Sequence, residues 1–198
     1  MSLFLILAAI VVLIIFWLVS IYNRLVRQRN EVKNAWSQID VQLQRRYDLI
    51  PNLVETVKGY MTYEKGTLEA VIQARNQASA AKDLINKMGG PTAENAPLKE
   101  LAGAENTLKS SLGGVFALME NYPQLRATEN MQRLQEELAT TENKVAFSRQ
   151  AYNDSVLSYN TSQQTFPTSL IAATFGHHPA DLFEVDAPEA RRGVKVSF

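Results

Sequence analysis

Residues 3–50 read LFLILAAIVVLIIFWLV (Leu3–Val19) followed by SIYNRLVRQRNEVKNAWSQIDVQLQRRYDLI (Ser20–Ile50), and the join between these two pieces decides the fold. The first piece carries no charge; the second opens with Arg24, Arg27, Arg29, Glu31 and Lys33. At ~1.5 Å per residue the apolar run spans about 26 Å as a helix, close to a hydrocarbon core of ~30 Å once Ser20, Ile21 and Tyr22 form an interfacial collar. A cleaved signal peptide would carry a basic leader, a shorter core and a small-x-small site. Here Met1 and Ser2 precede the run, Ala8 and Ala9 sit in its middle, and Ile21, Tyr22 and Asn23 follow it, so it reads as a retained single-pass anchor in the cell membrane. Arginines on its C-terminal flank predict an N-terminus outside and a cytoplasmic remainder by the positive-inside rule.

Working outward, no Gly or Pro intervenes between Tyr22 and Asp48, while Leu25, Val32, Trp36, Ile39, Leu43 and Ile50 mark one helical stripe. The membrane helix therefore continues into the body. Pro51 lacks a backbone donor and biases Ile50 away from helical geometry, which predicts a kink or restart near Asp48 to Pro51 with Asp48 as N-cap. A second helical stretch with Leu53, Val57, Tyr60, Met61, Leu68 and Val71 then runs to about Lys87, and Met88 to Pro97 is a linker punctuated by Gly89, Gly90, Pro91 and Pro97. Leu101, Leu108, Leu112, Val115 and Met119 predict a third helix from Leu98 to about Asn121, which Gly113 and Gly114 weaken or open to a close neighbour. From Pro123 to about Gln163 there is no further Pro or Gly, and Leu134, Leu138, Val145, Tyr152, Val156 and Tyr159 have the spacing of a bundle or coiled coil.

Phe166 and Pro167 end that helix, Thr168 to Phe175 is short and mostly apolar, and Gly176 to Pro179 is a turn. Leu182 to Val185 and Val194 to Phe198 have β-like patterning around the charged stretch Asp186 to Arg192. The expected architecture is all-α: an anchor over 1–22, a long antiparallel helical bundle over 23–165 in the cytoplasm, and an irregular or β-like tail over 166–198. That tail would pack on the bundle or on a neighbouring subunit.

Twenty basic and 20 acidic residues balance to zero net charge, with no basic stripe, which argues against a nucleic-acid partner. The arginines beside the anchor suit anionic lipid head groups. With no cysteine, disulfides, thiol catalysis and cysteine metal sites are excluded. His177 and His178 are adjacent in a turn, an arrangement that rarely converges on one metal even with Asp181 nearby, and no P-loop, HExxH, G-x-S-x-G or dinucleotide fingerprint occurs. Glu136, Glu137 and Glu142 read as solvated helix charges. No cofactor is expected.

The segment VKNAWSQIDVQLQRRYDLIPNLVETVKGY (Val32–Tyr60) strongly resembles the LemA family. The resemblance extends through Glu64, Ala74, Arg75, Glu120 to Pro123, Leu134, Thr141 to Asn143, Arg149, Tyr152, Asn153, Tyr159, Asn160, Phe166, Pro167, Phe183 and Glu184. It implies a single-span membrane protein with an antiparallel helical bundle and no established enzymatic activity. Relatives linked to magnetosomes are associated with membrane compartment formation.

The residues themselves point the same way. Arg45, Arg46 and Asp48 lie where backbone groups freed near Pro51 need partners, and a guanidinium–carboxylate pair would supply them. The Tyr152-Asn153 and Tyr159-Asn160 pairs stand one heptad apart and suit register-fixing hydrogen bonds. Trp36 and Asp40 are one helical step apart, as are Asp40 and Gln44, forming either a face for another helix or the edge of the core. Together these features predict a non-enzymatic membrane-anchored scaffold that self-associates as a homo-oligomer to organise or shape the membrane. The alternatives are an adaptor or regulator of a membrane protein complex such as a protease, and an unrecognised enzyme using Asp48 or His177.

Overall fold

In α1 (Ser2–Lys58) a single helix carries two kinds of surface. Residues 3–19 are exposed all round, whereas burial begins at Leu25 and proceeds in helical steps through Val32, Trp36, Ile39, Leu43, Tyr47, Ile50, Leu53 and Val57. The computed structural model describes residues 1–61 and 63–184, and α1 is the one helix among them long and apolar enough to cross a membrane.

The expected break at Pro51 does not occur. α1 runs on through it, so Asp48 lies inside the helix and caps nothing. Proline cannot give the N–H that the Tyr47 carbonyl would normally receive. Arg75 Nε donates to that carbonyl instead, at 3.2 Å, which satisfies the orphaned group and lets the helix persist. The chain reverses later, where Gly59 weakens the helix; the Tyr60 and Met61 amides donate to the Val57 carbonyl at 2.9 and 3.0 Å, and Met61 turns into the core. The stretch read as one helix to Lys87 is thereby cut between Lys58 and Lys65.

α2 (Lys65–Lys87) returns along α1, and its penultimate residue Asn86 accepts a hydrogen bond from the Trp36 indole at 2.8 Å. Gly89 and Gly90 then take φ of 95° and 99°, and the Gly90 amide closes on the Ile85 carbonyl at 3.0 Å, a left-handed helix stop that glycine accepts without strain. α3 (Leu98–Met119) passes through Gly113 and Gly114 uninterrupted. A Cβ at Gly114 would meet Thr67 at 3.9 Å, an ordinary contact, so close approach does not require glycine there.

The stretch after Pro123 is two helices rather than one: α4 (Pro123–Arg126) and α5 (Glu129–Gln164). Thr128 adopts an extended conformation between them, and its hydroxyl donates to the Leu125 carbonyl at 2.8 Å. α5 buries Met131, Leu138, Thr141, Val145, Tyr152, Val156, Tyr159 and Gln163, a seam of threes, fours and sevens laid against α1. The two run antiparallel, since Gln28 reaches Ser162 at 2.8 Å while the rings of Trp36 and Tyr152 meet at 6.0 Å. After a cis Phe166–Pro167 bond, α6 (Thr168–Thr174) leans on both α1 and α5.

No strand occurs among the described residues. Asp181 to Glu184 is irregular chain, while Val185 and Val194 to Phe198, also read as β-like, lie outside the described residues. The tail backbone finds its partners on side chains of α5 instead of on a neighbouring strand.

Candidate functional site

The two Tyr-Asn pairs of α5 converge on the tail. Asn153 accepts from the Phe183 amide at 2.9 Å and donates to the same residue's carbonyl at 3.3 Å. Asn160 treats Ala180 identically, accepting and donating at 2.9 Å. A carboxamide carries one acceptor and two donors, so it can satisfy both backbone groups of an extended residue as a paired strand would. Tyr152 donates to the Asp181 carbonyl at 2.8 Å, and the Tyr159 hydroxyl lies 3.0 Å from Nδ1 of His177. Burial pushes both phenols up, so each keeps its proton. Burial, with Arg29 and His178 adding, holds the His177 imidazole below its ordinary range. Phe183 is fully enclosed and completes an aromatic group with Trp36, their rings 6.2 Å apart.

A second polar group follows one face of α1 at Trp36, Asp40, Gln44 and Asp48, each one helical step from the last. Asn86 donates to Asp40 at 3.0 Å, and the Lys82 ammonium lies 3.2 Å from Asp40 and donates to the side-chain Oε1 of Gln44 at 2.8 Å. Gln44 donates to Asp48 at 2.8 Å, and Arg75 reaches Asp48 at 4.0 Å. Lys82 is buried, although it bears a charge.

One turn inward, Arg46 pairs with Glu105 of α3 at 2.9 Å, the two side chains only 6% and 5% exposed, and the Tyr47 hydroxyl donates to the other Glu105 oxygen. Burial raises the Glu105 carboxyl, while Arg46 and the Tyr47 hydrogen bond work against the rise. Burial and the Glu105 charge push the Tyr47 phenol up in turn. Arg45 is exposed and takes no part in the pair.

Glu105 and Lys82 escaped the reading of the sequence. Each occupies a slot that helical spacing assigns to the apolar face: Glu105 between Leu101 and Leu108, Lys82 between Ala78 and Ile85. A charge in an apolar slot was the available signal.

Between α3 and α5 runs a cleft with Arg46 among its lining residues. The Lys109–Glu142 ion pair, at 2.8 Å, crosses it. Partial burial works against the charged form of Glu142, but Lys109, through a hydrogen bond and its charge, with help from Arg46 and Arg149, carries the carboxyl below its usual range. On one side of this bridge Leu112, Phe116 and Leu138 line a cavity of about 370 Å³; on the other, Glu105, Asn143, Arg149 and Phe183 line one of about 290 Å³. Arg46 Nη2 is buried with no hydrogen-bond partner among the described residues.

Asp48 is engaged by Gln44 and Arg75, and His177 by Tyr159. Among the described residues no group of three His, Asp or Glu side chains gathers where a metal ion could sit.

The LemA family profile matches residues 35–198, spanning the ion pairs, the cleft and the tail contacts. The chain belongs to the LemA family. It is similar to the magnetosome protein MamQ of Magnetospirillum gryphiswaldense, at 23% identity over 82% of this chain and 64% of the relative. Magnetosome protein MamQ 2 of Paramagnetospirillum magneticum is 24% identical over the same shares. Protein LemA of Metamycoplasma hominis is 25% identical over 84% of this chain and 70% of its own length. The chain thus spans just under two thirds of the MamQ proteins it matches. The LemA match begins at Ala35, so the apolar run lies outside the matched residues.

Proposed function

We propose that this LemA-family protein is a non-enzymatic, membrane-anchored scaffold whose helical body self-associates to organise or shape the bilayer. In this reading α1 crosses the membrane with its N-terminus outside, the body is cytoplasmic, and Arg24, Arg27 and Arg29 meet anionic head groups. The observation that carries it is the unbroken course of α1 from the apolar run to Lys58. A helix without a hinge passes orientation from the body to the span, so subunits that associate through their bodies also set the spacing and tilt of their membrane segments. The relatives named as magnetosome proteins support a role in organising a membrane compartment.

Crosslinking in native membranes followed by native mass spectrometry tests this. Homo-oligomers are expected; a lone monomer with no crosslinked copy would overturn the proposal. A flexible Gly-Ser insertion after Tyr22 should leave the body folded and abolish membrane organisation. Protease protection in sealed vesicles checks sidedness, with the body expected on the cytoplasmic face.

The cleft between α3 and α5 favours a second reading, an adaptor or regulator that holds part of a membrane protein complex such as a protease. A hetero-complex of fixed composition in the same experiment would select it.

A further inference from the structure

We propose that α6 and its flanking residues form an interfacial foot, with Phe166, Leu170 and Phe175 entering the boundary between head groups and acyl chains beside the end of the anchor. The proposal rests on reading α1 as a membrane span.

Position comes first. α6 packs against α1 at Leu18, Val19 and Tyr22, where Leu170, Ile171 and Phe175 complete an apolar cleft of about 390 Å³. Leu18 and Val19 are the last residues of the apolar run, so a segment touching them stands at the depth where hydrocarbon gives way to head groups. The rings of Tyr22 and Phe175 meet at 4.9 Å, an aromatic pair at the level where membrane proteins concentrate such residues.

Exposure comes second. α6 turns Ile171 and Ala172 towards the protein, yet Phe166, Leu170 and Phe175 remain 76%, 64% and 60% exposed. Isolated exposed apolar side chains are ordinary on soluble surfaces. Leu170 and Phe175 line one cleft with Leu18 and Val19, the end of the wholly exposed Leu3–Val19 surface, so α6 and the anchor share an apolar face, and Phe166 stands exposed just ahead of α6.

Charge comes third. No Asp, Glu, Lys or Arg occurs from Ser155 to Ala180, a stretch that covers the end of α5, all of α6 and the following turn. Elsewhere the helices of the body carry charges along their exposed faces. Desolvating an ion near the bilayer is expensive, and a neutral segment at that depth avoids the cost. A lipid bilayer is the occupant that fits a neutral apolar face contiguous with a membrane span. Two contacts on one side of α1 would also restrain rotation about the span, which a lone helix leaves free.

The absence of cysteine makes single-site labelling clean. Leu170→Cys and Phe175→Cys variants of the full chain, carrying an environment-sensitive fluorophore, are reconstituted in phosphatidylcholine–phosphatidylglycerol vesicles. Ile10→Cys serves as the mid-span reference and Lys99→Cys as the solvent reference. Nitroxide lipids labelled near the head group or deep in the acyl chain act as quenchers. Positions 170 and 175 should give blue-shifted emission quenched more strongly by the shallow probe than by the deep one, with position 10 showing the reverse preference and position 99 quenched by neither. If position 10 is not quenched, the anchor reading fails and the foot with it. If position 10 is quenched while 170 and 175 behave like 99, the anchor stands and the foot is wrong. Leu170→Cys should melt like the parent protein, Phe175→Cys gives up the ring contact with Tyr22 and should melt slightly lower, and circular dichroism checks that both stay folded.

Discussion

Where α2 and α3 pack beside the middle of α1, charge meets charge: Arg46 is buried against Glu105, and the buried Lys82 ammonium meets the partly exposed Asp40, the exposed Asp83 and the side-chain oxygen of Gln44. Nearer the anchor, α1 is accompanied by α5, α6 and the tail, and the contacts are carboxamide to backbone, phenol to carbonyl and ring to ring. Each region solves the problem of polar groups in a core, by different means. A buried ion pair is costly to form and far costlier to break, so it penalises every arrangement of three helices except the one that completes it. Asparagine needs no ion: it gives an irregular chain the donor and acceptor that a strand would have supplied.

The sharpest way to break this contrast is to remove one member of the buried pair. Glu105→Ala leaves Arg46 charged and Tyr47 without its acceptor, and should cost about 3–5 kcal/mol in denaturant unfolding. Replacing both charged partners, Arg46→Met with Glu105→Leu, should recover most of that loss. If the double variant is as unstable as the single one, the pair is not acting as an isolated ionic lock.

Loss of the tail contacts should be smaller and local. Asn153→Ala or Asn160→Ala removes two hydrogen bonds to one residue and should cost about 1–3 kcal/mol, read as faster amide exchange from Ala180 to Glu184. Equal acceleration in α2 and α3 would show that the two regions are a single cooperative unit.

Arg75→Ala addresses the passage through Pro51. Stripping the Tyr47 carbonyl of its donor should cost about 1 kcal/mol and raise amide exchange around Ile50 to Val54. No change there would mean that the proline is accommodated without help.

The smallest effect expected is one of pH. Because the His177 pKa is depressed in the folded protein, the unfolded chain takes up its proton first as pH falls. The stabilising contribution is complete above about pH 6.5 and is lost as pH drops below that value. Arg29, His178 and the Tyr159 hydroxyl are the groups that bear on this imidazole. Acidification should therefore loosen the turn after α6, seen in amide exchange near His177, and His177→Gln should flatten the dependence. A turn that tightens on acidification would reverse the assigned sign.

Much of this was legible locally. Apolar spacing in α1 and α5 announces which faces are buried, because a helix places residues three and four apart on one side whatever it later meets. The Gly89-Gly90 stop is equally local, since only the conformational freedom of those two residues is needed. Asn153 and Asn160 were legible as hydrogen-bonding positions, but their partner was not, because nothing near them in the chain names Phe183 or Ala180.

By itself the sequence determined one long apolar run leading without a hinge into a helical body, the linker after α2, and membership in the LemA family. Only the tertiary structure decided that α1 continues past Pro51, that the chain turns at Gly59 and again at Thr128, that Glu105 and Lys82 are buried, and that the tail lies on α5. The physical reason is range. Periodicity and propensity act within a few residues, whereas the donor for the Tyr47 carbonyl comes from Arg75 and the partner of Arg46 from Glu105, on helices whose neighbours are chosen only when the whole chain packs.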